Sequence, residues 1–183
     1  MVAVAIVTVA TLLNALDIGA SAVLVPHVAS ADMAAEIAAA CRYGSRGRGY
    51  AGSTRAARYT TTPMQTHIER ANKQVAVIAQ IEDAAAVEKI DAIAAVEGID
   101  AFFVGRMDLT VSMGAASPDA PAVVAAVQRV CDAARAHHRA CGMFTSTVEE
   151  AQRWLGQGAA FFLLGSDQQW MLQGARALAD QMR

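Results

Sequence analysis

Three stretches of the chain repeat one pattern of apolar and polar positions. Residues 19–26, 98–105 and 158–165 each open on a glycine after a helix-like stretch. Each then runs through a short apolar segment and ends on Pro26, Gly105 or Gly165. Glycine tolerates the left-handed conformation that closes a helix. The apolar run suits a strand covered on both faces, and the final Gly or Pro turns the chain outward at the strand's C-terminal end. Two more apolar runs, residues 75–81 and 141–144, and an uncharged opening run over residues 2–9 bring the series to six strands.

Between these runs the apolar spacing changes to three and four, the period of a helix. Val87, Ile90 and Ala94 recur in this way after Glu82, as do Val123, Val127, Val130 and Ala134 further on. Thr147 and Glu150 are spaced as a capping box opening a helix that carries Ala151 and Leu155. Met171, Ala175, Leu178 and Met182 mark a last helix, and Cys41 follows Ile37 on a helical face as a core residue. Six strands alternating with helices predict an α/β fold with a parallel sheet and right-handed crossovers. A doubly wound open sheet and a (β/α)8 barrel both satisfy that pattern. No Gly-x-Gly-x-x-Gly follows a strand to favour a dinucleotide, and Arg46-Gly47-Arg48-Gly49 is too short and follows a helix. A full barrel takes about 250 residues. The 183 residues here supply six β/α units as one domain.

Composition narrows the class. With 55% hydrophobic and 17% charged residues, the chain is not of the disordered type. A net charge of −2 gives no reason to expect nucleic acid, and no aromatic series interleaves with Arg42, Arg46, Arg48, Arg55 and Arg58 as base stacking requires. That arginine series reads as a solvated loop, or as one facing an anionic small molecule or a neighbouring subunit. Three cysteines without paired spacing argue against a disulfide framework or a zinc site, and the cytosol is the expected compartment. The uncharged stretch over residues 2–16 is too short for a membrane span and lacks a signal peptide's positive start. It reads as a buried strand followed by a helix.

In either architecture, chemistry gathers at the C-terminal ends of the strands. The polar residues placed there are His27, Gln80, Glu82, Asp108, Thr145, Ser146, Ser166 and Asp167. Carboxylates on adjacent parallel strands can reach one hard cation, Mg²⁺ or Mn²⁺. Glu82 and Asp108 have that placement, and they equally suit caps of the helices that follow. His27 reads as a loop residue, with a base role as the alternative. The two lysines, Lys73 and Lys89, stand at no strand end.

At these residues the chain resembles the class II, metal-dependent 2-oxo-acid aldolase and citrate lyase family, of which hydroxy-oxo-heptanedioate aldolase is the archetype. The resemblance is carried by Gln80-Ile81-Glu82, by Asp91 through Gly98, and by Gly105-Arg106-Met107-Asp108-Leu109-Thr110. Leu16-Asp17-Ile18-Gly19, Val25-Pro26 and Gly165-Ser166-Asp167 fit in the same order. It implies a (β/α)8 TIM-type barrel, N-terminally truncated here to about six units. A last helix packing on a neighbouring subunit, in trimer- or hexamer-type assemblies, is implied as well. It also implies a carbon–carbon lyase in which Mg²⁺ or Mn²⁺ chelates the carboxylate and keto oxygen of a 2-oxo acid such as pyruvate, without a Schiff-base lysine. By the same resemblance Glu82 and Asp108 are the metal ligands and Gln80 hydrogen-bonds the oxo acid. Met107 and Asp108 offer backbone N–H groups to its carboxylate. Asp17 orients the family's base histidine.

The departures shape the expectation too. The base histidine belongs to a unit earlier than this chain's start, Ala3 aligns with an arginine that polarises the keto oxygen, and Arg106 replaces a proline. The resemblance therefore predicts an aldolase acting on a 2-oxo acid and an aldehyde. It leaves two alternatives, a citryl- or malyl-CoA lyase whose CoA phosphates meet Arg46 through Arg58, and a non-catalytic remnant keeping the metal and oxo-acid site.

Overall fold

The computed structural model describes residues 2–3 and 8–182. Six parallel strands form one sheet in the order of the sequence: β1 (Val2–Ala3), β2 (Ala22–Val25), β3 (Ala76–Ile81), β4 (Ala101–Val104), β5 (Ala140–Thr145) and β6 (Phe161–Leu164). A doubly wound sheet reverses its strand order at a switch point. This one does not, so the winding is single and the sheet curls in the manner of a barrel wall. Residues 4–7, assigned by pattern to the first strand, lie outside the described residues. Val9 is corrected: it opens helix α1 (Val9–Asp17), because Thr8 caps that helix by accepting from the Thr11 amide.

The remaining helices are α2 (Ala31–Ala40), α3 (Met64–Gln74), α4 (Ala84–Glu88), α5 (Ile90–Ala94), α6 (Arg106–Ser112), α7 (Pro121–Ala136), α8 (Val148–Leu155) and α9 (Asp167–Gln181). The one helix expected after Glu82 is split at Lys89, whose φ and ψ are −103° and 10°. The three repeat glycines Gly19, Gly98 and Gly158 have φ of 99°, 88° and 101°, the left-handed closure their spacing predicts.

Alternation along the strands divides the apolar residues between two faces. Val23, Val25, Val77, Ala79, Ile81, Phe102, Val104, Cys141 and Met143 join the large core beneath the helices. Leu24, Ile78, Ala101 and Phe103 form a small cluster on the other face, with Phe161 packed against it. A Cβ on Gly142 would come within 2.6 Å of the Phe161 ring, so glycine is what lets that ring lie across the inner face. Cys131 and Cys141, distant in sequence pattern, meet in the large core with sulfurs 3.5 Å apart as free thiols.

The helix expected after Thr147 forms as α8 and carries Ala151 and Leu155. Leu155 is exposed, and Trp154 is the fully buried residue of α8. The Thr147–Glu150 box is half formed: Thr147 accepts from the Glu150 amide, whereas the Glu150 carboxylate turns to the Ser146 amide. The α9 stripe forms as a helix, but none of its residues is buried. No helix among the described residues is long and apolar enough to cross a membrane.

At the opposite end of β2 from Pro26, His67 is 2% exposed, and its Nε2 lies 3.0 Å from the Tyr43 hydroxyl. Burial, with the charges of Arg48 and Arg70, holds its pKa below the ordinary 6.5. The unfolded chain therefore takes up a proton at His67 at higher pH than the folded one. Stability should fall as pH drops from the ordinary value to the folded one. Urea unfolding at several pH values, with His67→Gln as control, checks this; the variant should show the flatter profile.

Candidate functional site

The register of β3 against β4 sets the site. Ile81 pairs with Val104, and the Gly105 amide donates to the Ile81 carbonyl at 3.0 Å. Glu82 and Gly105 therefore leave the sheet side by side, and Asp108 follows in the first turn of α6. Glu82 is 3% exposed. One of its oxygens accepts from the His27 backbone N–H at 2.9 Å and lies 3.3 Å from His27 Nδ1. The other accepts from the Gln80 side-chain amide. Among the described residues Glu82 has no lysine or arginine partner, so its only ionic neighbour is His27.

Gly105 is required by contact rather than by torsion. A Cβ there would stand 2.6 Å from Glu82 Oε2 and 3.0 Å from Gln80 Nε2. The absent side chain is the room in which the Gln80–Glu82 pair is set. A cavity of about 400 Å³ opens next to it, lined by Gln80, Phe103, Met107, Asp108, Phe144 and Ser146 among others. That size lies within the range of small-ligand sites, roughly 300–1,000 Å³.

His27 was legible as a residue of this mouth, but its part was not. Its φ of 54° turns its amide onto Glu82, while its Nδ1 lies 3.2 Å from Asp83. The Asp83 hydrogen bond, then the charge of Glu82, raise its pKa above the ordinary 6.5 against a smaller effect of burial, with Asp83 and Asp108 adding to the rise. The charge of Asp108 thus reaches the same cluster as Glu82.

Arg106 also exceeds its sequence reading. It is 7% exposed, its guanidinium lies 4.9 Å from the Trp154 ring centroid, and it pairs with Glu150 and, at 3.4 Å, with Asp119. It anchors the start of α6, and with it Met107 and Asp108. An arginine two residues before the possible cap Asp108 gave no hint of a partner 44 positions away.

Asp17 is not brought to this site. It ends α1 and precedes the start of β2, whereas Glu82 follows the end of β3, which runs parallel to β2. The two lie at opposite ends of the sheet. Asp17 therefore stands apart from the Glu82 mouth of its own chain. Arg48, Arg55 and Arg58 line a cavity at that same far end, beside Ser21 and Val75.

The donors can be tested for a hard cation. Among the described residues no three His, Cys, Asp or Glu side chains converge to hold a metal alone. A buried carboxylate without a fixed cationic partner is costly, and a cation beside Glu82 would relieve it. Mg²⁺ commonly takes one or two carboxylates and completes its shell with water and substrate oxygens. Glu82 with Asp108 suits that ion, and not one needing a full protein cage.

Residues 3–173 match the family model described as HpcH/HpaI aldolase/citrate lyase. The chain is 37% identical over 165 residues to the 4-hydroxy-2-oxovalerate aldolase of Rhodococcus jostii, covering 90% of this chain and 63% of that protein. It is 40% identical over 168 residues to the 4-hydroxy-2-oxo-heptane-1,7-dioate aldolase of Salmonella arizonae, with the same two coverages. It thus spans 63% of the length of these curated relatives. Its fold is similar to the crystal structure of an HpcH/HpaI aldolase/citrate lyase family protein from Burkholderia cenocepacia. The TM-score is 0.90 at 31% identity, covering 96% of this chain and 70% of that one.

Proposed function

The chain belongs to the HpcH/HpaI aldolase/citrate lyase family, and on that premise we propose that it acts as a divalent-metal-dependent carbon–carbon lyase on a 2-oxo acid. The observation that carries this reading is the buried Glu82 carboxylate, set beside the Gly105–Asp108 turn with no lysine or arginine partner among the described residues. Glu82 and Asp108 hold Mg²⁺ or Mn²⁺, which when bound acts as a Lewis acid on the substrate's oxygens. Gln80 lines the cavity and donates toward Glu82, where it is placed to hydrogen-bond the oxo acid. The Met107 and Asp108 amides belong to the first turn of α6, whose N–H groups have no acceptor within the helix, and they suit the substrate carboxylate. Phe103 and Phe144 supply the apolar lining of the cavity. A (β/α)8 frame, an aldehyde as co-substrate and a cytosolic setting belong to the same proposal.

The citryl- or malyl-CoA reading loses support from the geometry. The arginines that would take CoA phosphates lie at the N-terminal ends of β2 and β3, across the sheet from Glu82. Assembly is supported differently: Met171, Leu172 and Leu178 of α9 are 70%, 52% and 65% exposed. We read this apolar helix as packing on another copy of the chain, in a trimer or hexamer.

Deuterium uptake at the pyruvate methyl group, followed by NMR, tests the function at its simplest step. With Mn²⁺ or Mg²⁺ added, exchange should exceed the metal-only control, and chelation should return it to that control. Exchange that ignores the metal would refute the reading. A screen of aldehydes with pyruvate, beside acyl-CoA substrates, then assigns the second substrate.

A further inference from the structure

A cavity larger than the one beside Glu82 lies at the other end of the sheet, and the proposed lyase chemistry does not use it. It has a volume of about 690 Å³ and lies between the approaches to β2 and β3, bounded by Gly19, Ser21, Gln74 and Val75. Arg48, Arg55, Arg58, Arg70 and His67 line it, and no carboxylate does. Among the described residues, none of these four arginines forms an ion pair.

Arg48 is the informative member. It is 5% exposed, and its Nε and Nη1 have no hydrogen-bond partner. Its guanidinium lies 4.0 Å from the Tyr43 ring centroid and hydrogen-bonds the Tyr43 side chain, which fixes the group while Nε and Nη1 stay without a partner. A buried guanidinium with unmet N–H groups is expensive, and a bound anion would meet them. Arg70 is steadied by a 3.2 Å bond to the Ala56 carbonyl. Arg55 and Arg58 are exposed on the loop above, where Arg58, Tyr59 and Thr60 have φ of 53°, 53° and 73°. The nearest acidic influence is Asp17, whose charge reaches Tyr43 and His67. One carboxylate does not balance four guanidinium groups, and it lines no part of the cavity.

We propose that this cavity binds a small, multiply charged phosphoryl compound, at a site separate from the Glu82–Asp108 mouth. Guanidinium forks match phosphate oxygens in pairs, and four of them around a space this large suit two or more anionic groups better than one. The aldolase reading is not needed for this inference.

The test uses the full chain, metal-free in chelator and at constant ionic strength, titrated calorimetrically with pyrophosphate, inorganic phosphate and citrate. Pyrophosphate should bind saturably and more tightly than either. Its affinity should drop about tenfold or more in R55E/R58E, which changes only exposed loop positions, and in Arg48→Met. It should stay within twofold in E82Q, a change at the opposite end. No saturable pyrophosphate binding overturns the proposal, as does an affinity that survives in R55E/R58E or falls with E82Q. Citrate binding as tightly as pyrophosphate overturns the phosphoryl assignment. If R55E/R58E alters the oligomeric state while pyrophosphate affinity is kept, the cavity is a subunit contact and the proposal fails.

Discussion

Replacing Arg106 by alanine should destabilise the chain by about 3 kcal/mol, the low end of what breaking a buried ion pair costs. The low end applies because Glu150 keeps 22% of its side-chain exposure and a 2.9 Å bond from the Ser146 amide. Three losses combine. The nearer of two cations leaves the Trp154 face, Glu150 and Asp119 are left with Arg153 as their cationic partner, and the start of α6 loses its anchor. A charge-free pair separates these causes. Arg106→Met with Glu150→Gln keeps apolar cover on Trp154 and strands no charge, so most of the loss should return. Urea unfolding of both singles and the double gives the coupling directly.

Acid should act through the same contact. Burial tends to raise the Glu150 pKa, but the Ser146 amide and Arg106 together bring it below the ordinary 4.5. A carboxylate with a depressed folded pKa stabilises the fold above its unfolded value, and that contribution is lost as pH falls through the folded one. The acid limb of the stability profile should therefore flatten in Glu150→Gln.

Glu82→Gln should have two effects of opposite sign. Without metal the variant should be as stable as the parent or more so, because a buried carboxylate lacking a lysine or arginine becomes neutral. The amide oxygen can still accept from the His27 N–H. With Mn²⁺ the order reverses. Loss even of groups that only orient a metal ligand costs about 10–100-fold in affinity, so removing a direct ligand should cost about 100-fold or more. Metal-dependent deuterium uptake by pyruvate should fall with it. Thermal unfolding with and without Mn²⁺ reads both signs at once: the parent gains stability from the ion and the variant does not. Equal stabilisation of the two would show that Glu82 is no ligand. Asp108→Asn should weaken binding without raising metal-free stability, since Asp108 is exposed already.

Much of the frame was legible in the chain. The three repeat glycines closed helices, and five of the six apolar runs became strands within two residues of their expected limits, because a buried parallel strand and a left-handed turn each impose local requirements. Gln80, Glu82, Met107 and Asp108 were legible as neighbours because adjacent parallel strands bring their C-terminal ends to one mouth. Winding was not legible, since strand order depends on which strands pair and not on any one strand's pattern. The split at Lys89, the burial of Trp154 in place of Leu155, and the diversion of Glu150 from its cap to Ser146 and Arg106 are likewise set by neighbours.

The two carboxylates show that division most clearly. Sequence by itself determined that Glu82 and Asp108 follow strands, and that they are oxygen donors suited to a hard cation. Only the tertiary structure decided that Glu82 is buried without a fixed cation, that Gly105 leaves it room, and that the His27 amide holds it. It also decided that Asp17 and the arginine loop stand at the far end of the sheet. The reason is physical: periodicity reports which face of an element a residue takes, whereas burial, charge balance and end-to-end placement are properties of the assembled sheet.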